Sequence, residues 1–254
     1  MRIRVVTPVT ASLFGDGSEA IRDVLEAARP DNRVDHVQIE RGPASIESEY
    51  EEAMAVPDTL RRIVEAEREG VDGVIINCMG DPGLYPARQL VSIPVVGPYQ
   101  AAGHLAAALG HRFSVVSVVD AVVPMFWDRA AVYGFRQSLA SVRVVDIAVL
   151  DLERDRGRMV ERIVEEAALA VREDGADTIV FGCTGMTGVA RQVAERLSAQ
   201  GIDVPVVDPA PAALKLCELL VDMRLSQSRR AFLTPGPKAM PGYPDLLSLA
   251  RASG

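Results

Sequence analysis

The chain has 254 residues, of which 48% are hydrophobic and 24% are charged, proportions that are typical of a globular protein. Its 27 basic and 35 acidic residues give a net charge of -8, which is unlike the basic surface of a nucleic-acid-binding protein. The 3 cysteines do not suit a disulfide framework. No stretch reaches the ~20 apolar residues that span a bilayer, and no signal peptide is recognisable. We therefore expect a soluble cytoplasmic protein with neither membrane nor nucleic-acid partners.

Short β-branched segments alternate with longer amphipathic segments along the chain. The predicted strands are 2–7, 33–39, 72–77, 94–97, 113–118, 142–149, 177–182 and 204–207. The predicted helices are 17–29, 57–70, 99–109, 125–137, 157–174, 186–199 and 210–222. This alternation, with strands that are apolar throughout, is typical of an α/β fold whose parallel sheets are covered by helices on both faces.

The pattern occurs twice. One strand ends at Cys78 and another at Cys183, and each is followed by a helix, a short strand and an Ala-rich helix. We therefore expect two similar lobes, 1–97 plus 208–225 and 98–207, with the active site in the cleft between them. Residues 226–254 are predicted to form a C-terminal tail that is either mobile or docked on a neighbour.

Cys78 and Cys183 are the candidate catalytic residues. Both follow the carboxyl ends of strands, where ligands bind in parallel α/β sheets. Two thiols on opposite sides of one cleft suit proton transfer at a carbon acid. One thiolate removes a proton and the other thiol delivers one to the opposite face, with no metal or organic cofactor. The alternative for each cysteine is a small buried core residue, which is the prediction for Cys217.

A thiol must be ionised for this chemistry. Its ordinary pKa of ~8.5 makes ionisation at pH 7 cost roughly 2 kcal/mol, and a helix N-terminus lowers that cost. Directly after Cys78, the residues Asp81 and Pro82 are typical of an N-cap and a first helical residue. Thr184 and Gly185 are small, so we expect free backbone N–H groups there for an anion. Two thiols in one cleft titrate as a coupled pair.

Five short motifs follow one another in a specific order. They are residues 42–47 (GPASIE), 53–57 (AMAVP), 77–84 (NCMGDPGL), 94–97 (PVVG) and 182–186 (GCTGM). In these motifs the chain resembles the hydantoin racemase family of the aspartate/glutamate racemase superfamily, from the first strand to about residue 225. The resemblance implies two pseudosymmetric flavodoxin-like lobes and a cofactor-independent 1,1-proton transfer on a small-molecule substrate. It also implies Cys78 and Cys183 as the acid/base pair, and a homo-oligomer.

The chain departs from that family at two strand ends. Residues 7–10 (TPVT) replace the typical Asn-Pro-Asn-Thr, and Ser117 and Val118 replace a Thr-Thr pair. Both changes predict a more apolar pocket. The Asp-Ser-Gly motif of glutamate racemases and the His after their second Cys-Thr are absent, so we do not expect a free amino acid as the substrate.

A hydantoin ring fits this pattern, because its C5 carbanion is delocalised onto oxygen as an enolate. Backbone N–H groups near residues 79–81 and 184–186, with the hydroxyls of Thr10 and Ser117, are candidates to stabilise that charge. The two hydroxyls equally suit strand-end caps. The predicted substrate-binding residues are Pro8, Thr10, Asn77, Met79, Gly80, Ser117, Thr184, Gly185 and Met125.

Three other patterns in the sequence are weaker. Residues 15–20 (GDGSEA) match a dinucleotide fingerprint, but they do not directly follow the strand, so a lid with Phe14 as a pocket wall is favoured. Residues 124–127 (PMFW) suit either the core or a pocket wall. The histidines lack metal-ligand spacing, so no metal site is predicted at His36, His104 or His111.

Three other functions keep the same fold. A cysteine-dependent cis-trans isomerase of a small carboxylate would use one thiolate as a covalent nucleophile. A decarboxylase fits less well, since related decarboxylases rely on one catalytic cysteine. A non-catalytic small-molecule binding module would need no paired thiols. Exchange of the C5 proton with solvent deuterium distinguishes the racemase from all three.

Overall fold

The computed structural model describes residues 1–10, 21–236, 238–242 and 246. The elements of the first half are β1 (Arg2–Thr7), α1 (Arg22–Ala27), β2 (Arg33–Gln38), α2 (Glu49–Arg68), β3 (Gly73–Ile76), α3 (Leu84–Leu90), β4 (Val95–Val96) and α4 (Pro98–Leu109). Those of the second half are β5 (Phe113–Ser117), α5 (Val123–Tyr133), β6 (Leu139–Val144), α6 (Arg156–Arg172), β7 (Thr178–Phe181), α7 (Ala190–Ser198), β8 (Val206–Val207) and α8 (Pro209–Asp222).

The two halves form sheets of the same topology. Each is a 4-stranded sheet, in the orders β2-β1-β3-β4 and β6-β5-β7-β8, and all neighbouring strands are parallel. The central strands β3 and β7 are buried along their whole length, because helices cover both faces of a parallel sheet. The predicted α/β fold of two similar lobes is confirmed.

The last helix covers the first sheet. Ala213, Leu214 and Cys217 of α8 pack with Ile3 and Val5 of β1 in one buried cluster. Cys217 is therefore a core residue, in agreement with the prediction. The residue boundaries of the two lobes and of the tail stay a prediction.

The segment after α8 contacts the same chain near the end of α3. The side-chain amide of Gln227 donates to the carbonyl oxygens of Val91 and Ile93, each at 2.8 Å. The ring of Phe232 packs edge-on against Tyr85, with 5.3 Å between the ring centroids. These contacts hold the first part of the predicted tail, up to about residue 234, against α3.

Several predicted boundaries are wrong. Helix α2 begins at Glu49 rather than at 57, because Ser48 caps it. The Ser48 hydroxyl oxygen accepts the N–H of Glu51 at 3.3 Å, and the Glu51 carboxylate accepts the N–H of Glu47 at 2.7 Å. Pro57 therefore lies inside the helix. Strand β6 begins three residues before the predicted 142, and α7 begins at Ala190 rather than at 186. Among the described residues, no helix is long and apolar enough to cross a membrane.

Candidate active site

Cys78 and Cys183 lie in matching loops at the carboxyl ends of β3 and β7. Each thiol comes two residues after the last residue of its strand, and both are partly exposed. Both line one cavity of about 30 Å³ between the lobes. The wall of this cavity consists of Ile46, Cys78, Met79, Gly80, Ser117, Val118, Val122, Met125, Phe126, Val149, Gly182, Cys183 and Thr184.

The two thiols receive the same backbone hydrogen bond. The N–H of Gly80 donates to Sγ of Cys78 at 3.4 Å, and the N–H of Gly185 donates to Sγ of Cys183 at 3.3 Å. In each loop the donor is therefore the residue two positions after the cysteine. An N–H donated to sulfur stabilises the thiolate over the thiol, so both lobes contain the same thiolate-stabilising contact.

Burial nevertheless dominates the ionisation of both thiols. Burial raises the pKa of Cys78 well above its ordinary value, and the Gly80 N–H only partly opposes this rise. Burial also raises the pKa of Cys183, to about 11, against the opposing effect of the Gly185 N–H. The carboxylate of Glu52 raises the pKa of Cys78 further. In this structure both thiols therefore hold their protons more firmly than an ordinary cysteine does.

The predicted helix cap at Asp81 is wrong. Helix α3 begins at Leu84, after Gly83 in the left-handed conformation with φ 75°, so it does not start directly after the Cys78 loop. The Asp81 carboxylate instead accepts the N–H groups of Tyr99 and Gln100, both at 3.0 Å. These N–H groups belong to the first turn of α4, 18 or more residues along the chain. The expected helix N-terminus at Cys78 is thus absent.

Asp81 is buried in a left-handed backbone conformation, with φ 49°. Burial raises the pKa of its carboxyl group to about 6, and the N–H groups of Tyr99 and Gln100 oppose that rise. After the second sheet, the matching helix α8 is capped locally, because Asp208 accepts the N–H of Ala210 at 3.1 Å. The two lobes therefore cap equivalent helices from different places in the chain.

Four of the six N–H groups predicted to be available to an anion are engaged within the loops. Those of Gly80 and Gly185 donate to the thiols. Those of Asp81 and Met186 donate to the carbonyl oxygens of the cysteines, at 3.0 and 3.1 Å. In this structure they form the turns that orient the thiols.

Five of the predicted substrate-binding residues line the cavity, namely Met79, Gly80, Ser117, Thr184 and Met125. Of these, Ser117 has its hydroxyl committed, because it donates to the carbonyl of Gly182 at 3.1 Å. Four predicted residues lie outside the described cavity wall, namely Pro8, Thr10, Asn77 and Gly185.

Thr10 is exposed, and its hydroxyl donates to the carbonyl of Pro43 at 3.1 Å. Pro8 is buried at the end of β1. Asn77 is buried beside Thr7, to whose hydroxyl its side-chain amide donates at 3.3 Å. The structure therefore does not bring the Thr10 hydroxyl to the cavity wall.

Contacts between the lobes join the two thiol loops. The hydroxyl of Thr184, next to Cys183, donates to the carbonyl of Asn77, next to Cys78, at 3.2 Å. A second contact joins the Glu47 carboxylate to the N–H of Val149. The loops that carry the two thiols are thus linked directly by a hydrogen bond across the cleft.

Sequence reasoning found part of the apolar cavity wall. Val118 and Phe126 lie on the wall, in agreement with the predicted apolar pocket and with the pocket-wall alternative for residues 124–127. The wall residues with no predicted pocket role are Ile46, Val122 and Val149. Residues 42–47, which contain Ile46 and Glu47, carry part of the family resemblance, but the sequence predicts no role for either side chain. Val149 is the last residue of the predicted strand 142–149, but the strand itself ends at Val144.

Of the residues in the weaker sequence patterns, the histidines and Trp127 lie outside the cavity wall. His36 accepts or donates a hydrogen bond with the Thr7 hydroxyl at 2.8 Å, and burial lowers the pKa values of His36 and His104. Trp127 packs under the guanidinium of Arg136, 3.9 Å from the ring centroid, while its neighbour Phe126 lines the cavity. Phe14 and residues 15–20 lie outside the described residues. Where the structure is described, no cluster of 3 His, Cys, Asp or Glu side chains could hold a metal.

Two similar parallel α/β lobes, with one thiol from each facing a shared cavity, define a two-lobed protein with a paired-cysteine site. The chain belongs to the Asp/Glu/Hydantoin racemase family, whose sequence pattern matches residues 17–217. It is 37% identical over 229 residues to a hydantoin racemase from Pseudomonas sp. strain NS671, covering 90% of this chain and 89% of that protein.

Solved structures agree with this assignment. An allantoin racemase from Klebsiella pneumoniae matches with a TM-score of 0.89 at 35% identity, over 98% of both chains. An allantoin racemase from Pseudomonas fluorescens matches with a TM-score of 0.87 at 37% identity, over 95% of this chain and 100% of that one. The protein is accordingly an isomerase of the racemase type.

Proposed function

We propose that the protein racemises 5-substituted hydantoins or a related cyclic amide such as allantoin, without a cofactor, by proton transfer between Cys78 and Cys183. The observation that carries this proposal is the shared cavity, in which both thiols are exposed to the same space. The names of the similar proteins, a hydantoin racemase and two allantoin racemases, support the substrate class.

In the proposed reaction, one cysteine thiolate removes the proton from ring carbon C5. The electron pair of the broken C–H bond moves to the neighbouring carbonyl oxygen and forms an enolate. The opposite thiol then donates its proton to the other face of C5. The first thiolate ends as a thiol and the second thiol ends as a thiolate, so no oxidant or reductant is consumed.

The cavity wall favours a neutral ring over an ionised amino acid. Among the described residues of the wall, none has an ionised side chain. A zwitterion would lose its hydration there without gaining a charged partner, which is costly. The wall residues Met79, Gly80, Ser117, Thr184 and Met125 are proposed to contact the ring. We also propose a cytoplasmic location, where cysteine thiols stay reduced.

Deuterium incorporation tests the proposed function. The protein is incubated in D₂O with enantiopure 5-substituted hydantoins and allantoin, and loss of optical rotation is recorded together with deuterium at C5. We expect both in the native protein and a ~10²–10⁴-fold loss of racemisation in Cys78→Ala and in Cys183→Ala. Cys217→Ala is the matched control, because this thiol lies in the core.

Full racemisation in either single variant would exclude the two-thiol mechanism. A covalent adduct between a cysteine and an unsaturated carboxylate, seen by mass spectrometry, would instead favour the cis-trans isomerase. The proposed homo-oligomer is checked separately by light scattering of the purified protein.

A further inference from the structure

Glu52 of α2 is a nearly buried carboxylate whose two oxygens have different surroundings. Oε1 is paired with the guanidinium of Arg129 in α5, across the cleft. Oε2 is buried and has no hydrogen-bond partner among the described residues. An unpaired buried acceptor costs ~1–3 kcal/mol, and more when it is charged. Such an atom therefore indicates a partner that arrives with a ligand.

The unpaired oxygen Oε2 of Glu52 lies close to Gly80 and to the thiol of Cys78. A Cβ atom placed on Gly80 would be 2.9 Å from Oε2 of Glu52, 3.5 Å from Sδ of Met125 and 3.6 Å from Sγ of Cys78. These three atoms thus surround the same point beside the Gly80 backbone. Gly80, Met125 and Cys78 all line the cavity, so Oε2 lies directly behind its wall.

The substrate needs more room than the cavity provides. A volume of about 30 Å³ accommodates a water or two, which is less than a substituted five-membered ring. Met125 also lines a neighbouring pocket of about 340 Å³, together with Asp81, Tyr85 and Arg129. Because a thioether side chain adapts readily, displacement of Met125 would join the two spaces. The substituent on C5 would then extend past Glu52.

We propose that Oε2 of Glu52 accepts an N–H from the C5 substituent of the substrate, and that it thereby selects rings with a ureido-like substituent over rings with an alkyl one. A carboxylate only accepts hydrogen bonds, and Arg129 holds this one in place before the substrate binds. A buried acceptor discriminates strongly against an analogue that leaves it unpaired. This inference rests on the proposed function and narrows its substrate class.

The test compares Glu52→Gln with the native protein on allantoin and on 5-isobutylhydantoin. In the variant, Arg129 requires the amide oxygen, so the amide NH₂ takes the place of Oε2 and opposes a substrate N–H. We expect the ratio of kcat/KM for allantoin to kcat/KM for 5-isobutylhydantoin to fall ~10–100-fold. The loss of the Glu52 charge also lowers the pKa of Cys78, but this effect is common to both substrates and cancels in the ratio. Glu161→Gln, an equal charge change on the exposed face of α6, should alter neither kcat/KM value.

An unchanged ratio, whether from equal losses on both substrates or from no change on either, would overturn the proposal. A binding measurement separates it from the proposed function. Calorimetric titration of allantoin into Cys183→Ser, with and without Glu52→Gln, should show a ~10-fold weaker Kd in the double variant. If the native protein racemises neither compound, the proposed function fails. In that case the change in Kd still shows whether Glu52 contributes to the binding of allantoin.

Discussion

The carboxylate of Asp81 occupies the space in which a side chain at position 97 would begin. A Cβ atom on Gly97 would lie 2.4 to 2.6 Å from the carboxyl atoms of Asp81. The same carboxylate accepts the N–H groups of Tyr99 and Gln100. The loop that carries Cys78 is thus tied to α4 because residue 97 has no side chain.

This contact predicts that Gly97→Ala destabilises the protein through Asp81. We expect the free energy of unfolding to fall by ~1–3 kcal/mol, and by less when Asp81 is already alanine. Urea denaturation of the two single variants and the double variant measures this coupling, which should exceed ~0.5 kcal/mol. Gly236→Ala is the control, because a Cβ there meets nothing within 4 Å. Additive effects would show that the two positions do not interact.

The raised pKa of Asp81 predicts a pH dependence of stability. Burial raises this pKa from 3.8 to about 6, so the folded protein binds more protons than the unfolded chain between these values. The contribution of Asp81 to the free energy of unfolding is therefore greatest at low pH. About 3 kcal/mol of this contribution is lost as the pH rises through 6. The Asp81→Asn variant has no titrating group at this position and therefore serves as the reference.

The stability of the native protein relative to Asp81→Asn should accordingly increase as the pH falls from 7 to 4. Urea denaturation at four pH values in this range provides the measurement. A change of opposite sign would mean that the α4 N–H groups outweigh burial and hold Asp81 ionised.

The raised thiol pKa values predict a racemase that is fastest in alkaline solution. Because burial raises the pKa of Cys183 to about 11, and that of Cys78 above its ordinary value, only a small thiolate fraction exists at pH 7. We expect kcat/KM to rise nearly tenfold per pH unit from pH 7 to 9 and to keep rising to pH 10. Polarimetry, corrected for uncatalysed exchange, measures this. A plateau near ~8.5, the ordinary thiol pKa, would contradict the effect of burial.

The hydrogen bond between the thiol loops predicts that two substitutions of Thr184 affect activity differently. Thr184→Val keeps the side-chain shape but leaves the Asn77 carbonyl without the hydroxyl that donates to it at 3.2 Å. We expect kcat/KM to fall ~5–10-fold, which corresponds to ~1 kcal/mol. Thr184→Ser restores the hydroxyl and should retain most of the activity. Equal losses in both variants would indicate that the methyl group, and not the hydrogen bond, is required.

The fold was readable from the sequence because its signals are local. Apolar β-branched runs identify the strands, and alternation with helices determines a parallel sheet. The start of α2 was missed because Pro57 suits a first helical position, although Ser48 and Glu51 already match a capping box. Strand β6 is an edge strand of mixed burial, so its apolar pattern gives a weaker boundary.

The site was predictable as far as each loop could be judged alone. Cys78 and Cys183 follow from their positions at strand ends. The cap formed by Asp81 was not predictable, because its carboxylate accepts an N–H from α4, a helix that follows the next strand, β4. The role of Glu52 also depends on a partner, Arg129, 77 residues away. Such pairings are set by the packing of the two lobes and leave no local signal.

The attachment of the C-terminal segment to α3 matters for anyone who immobilises or fuses this protein. Removal of the chain directly after α8 would leave the carbonyls of Val91 and Ile93 without Gln227, which now donates to both. It would also strip Phe232 from Tyr85 in the first turn of α3, the helix that follows the Cys78 loop. A truncation made for a linker or an affinity tag should therefore keep the chain at least through Thr234, whose hydroxyl donates to the carbonyl of Gln89 in α3.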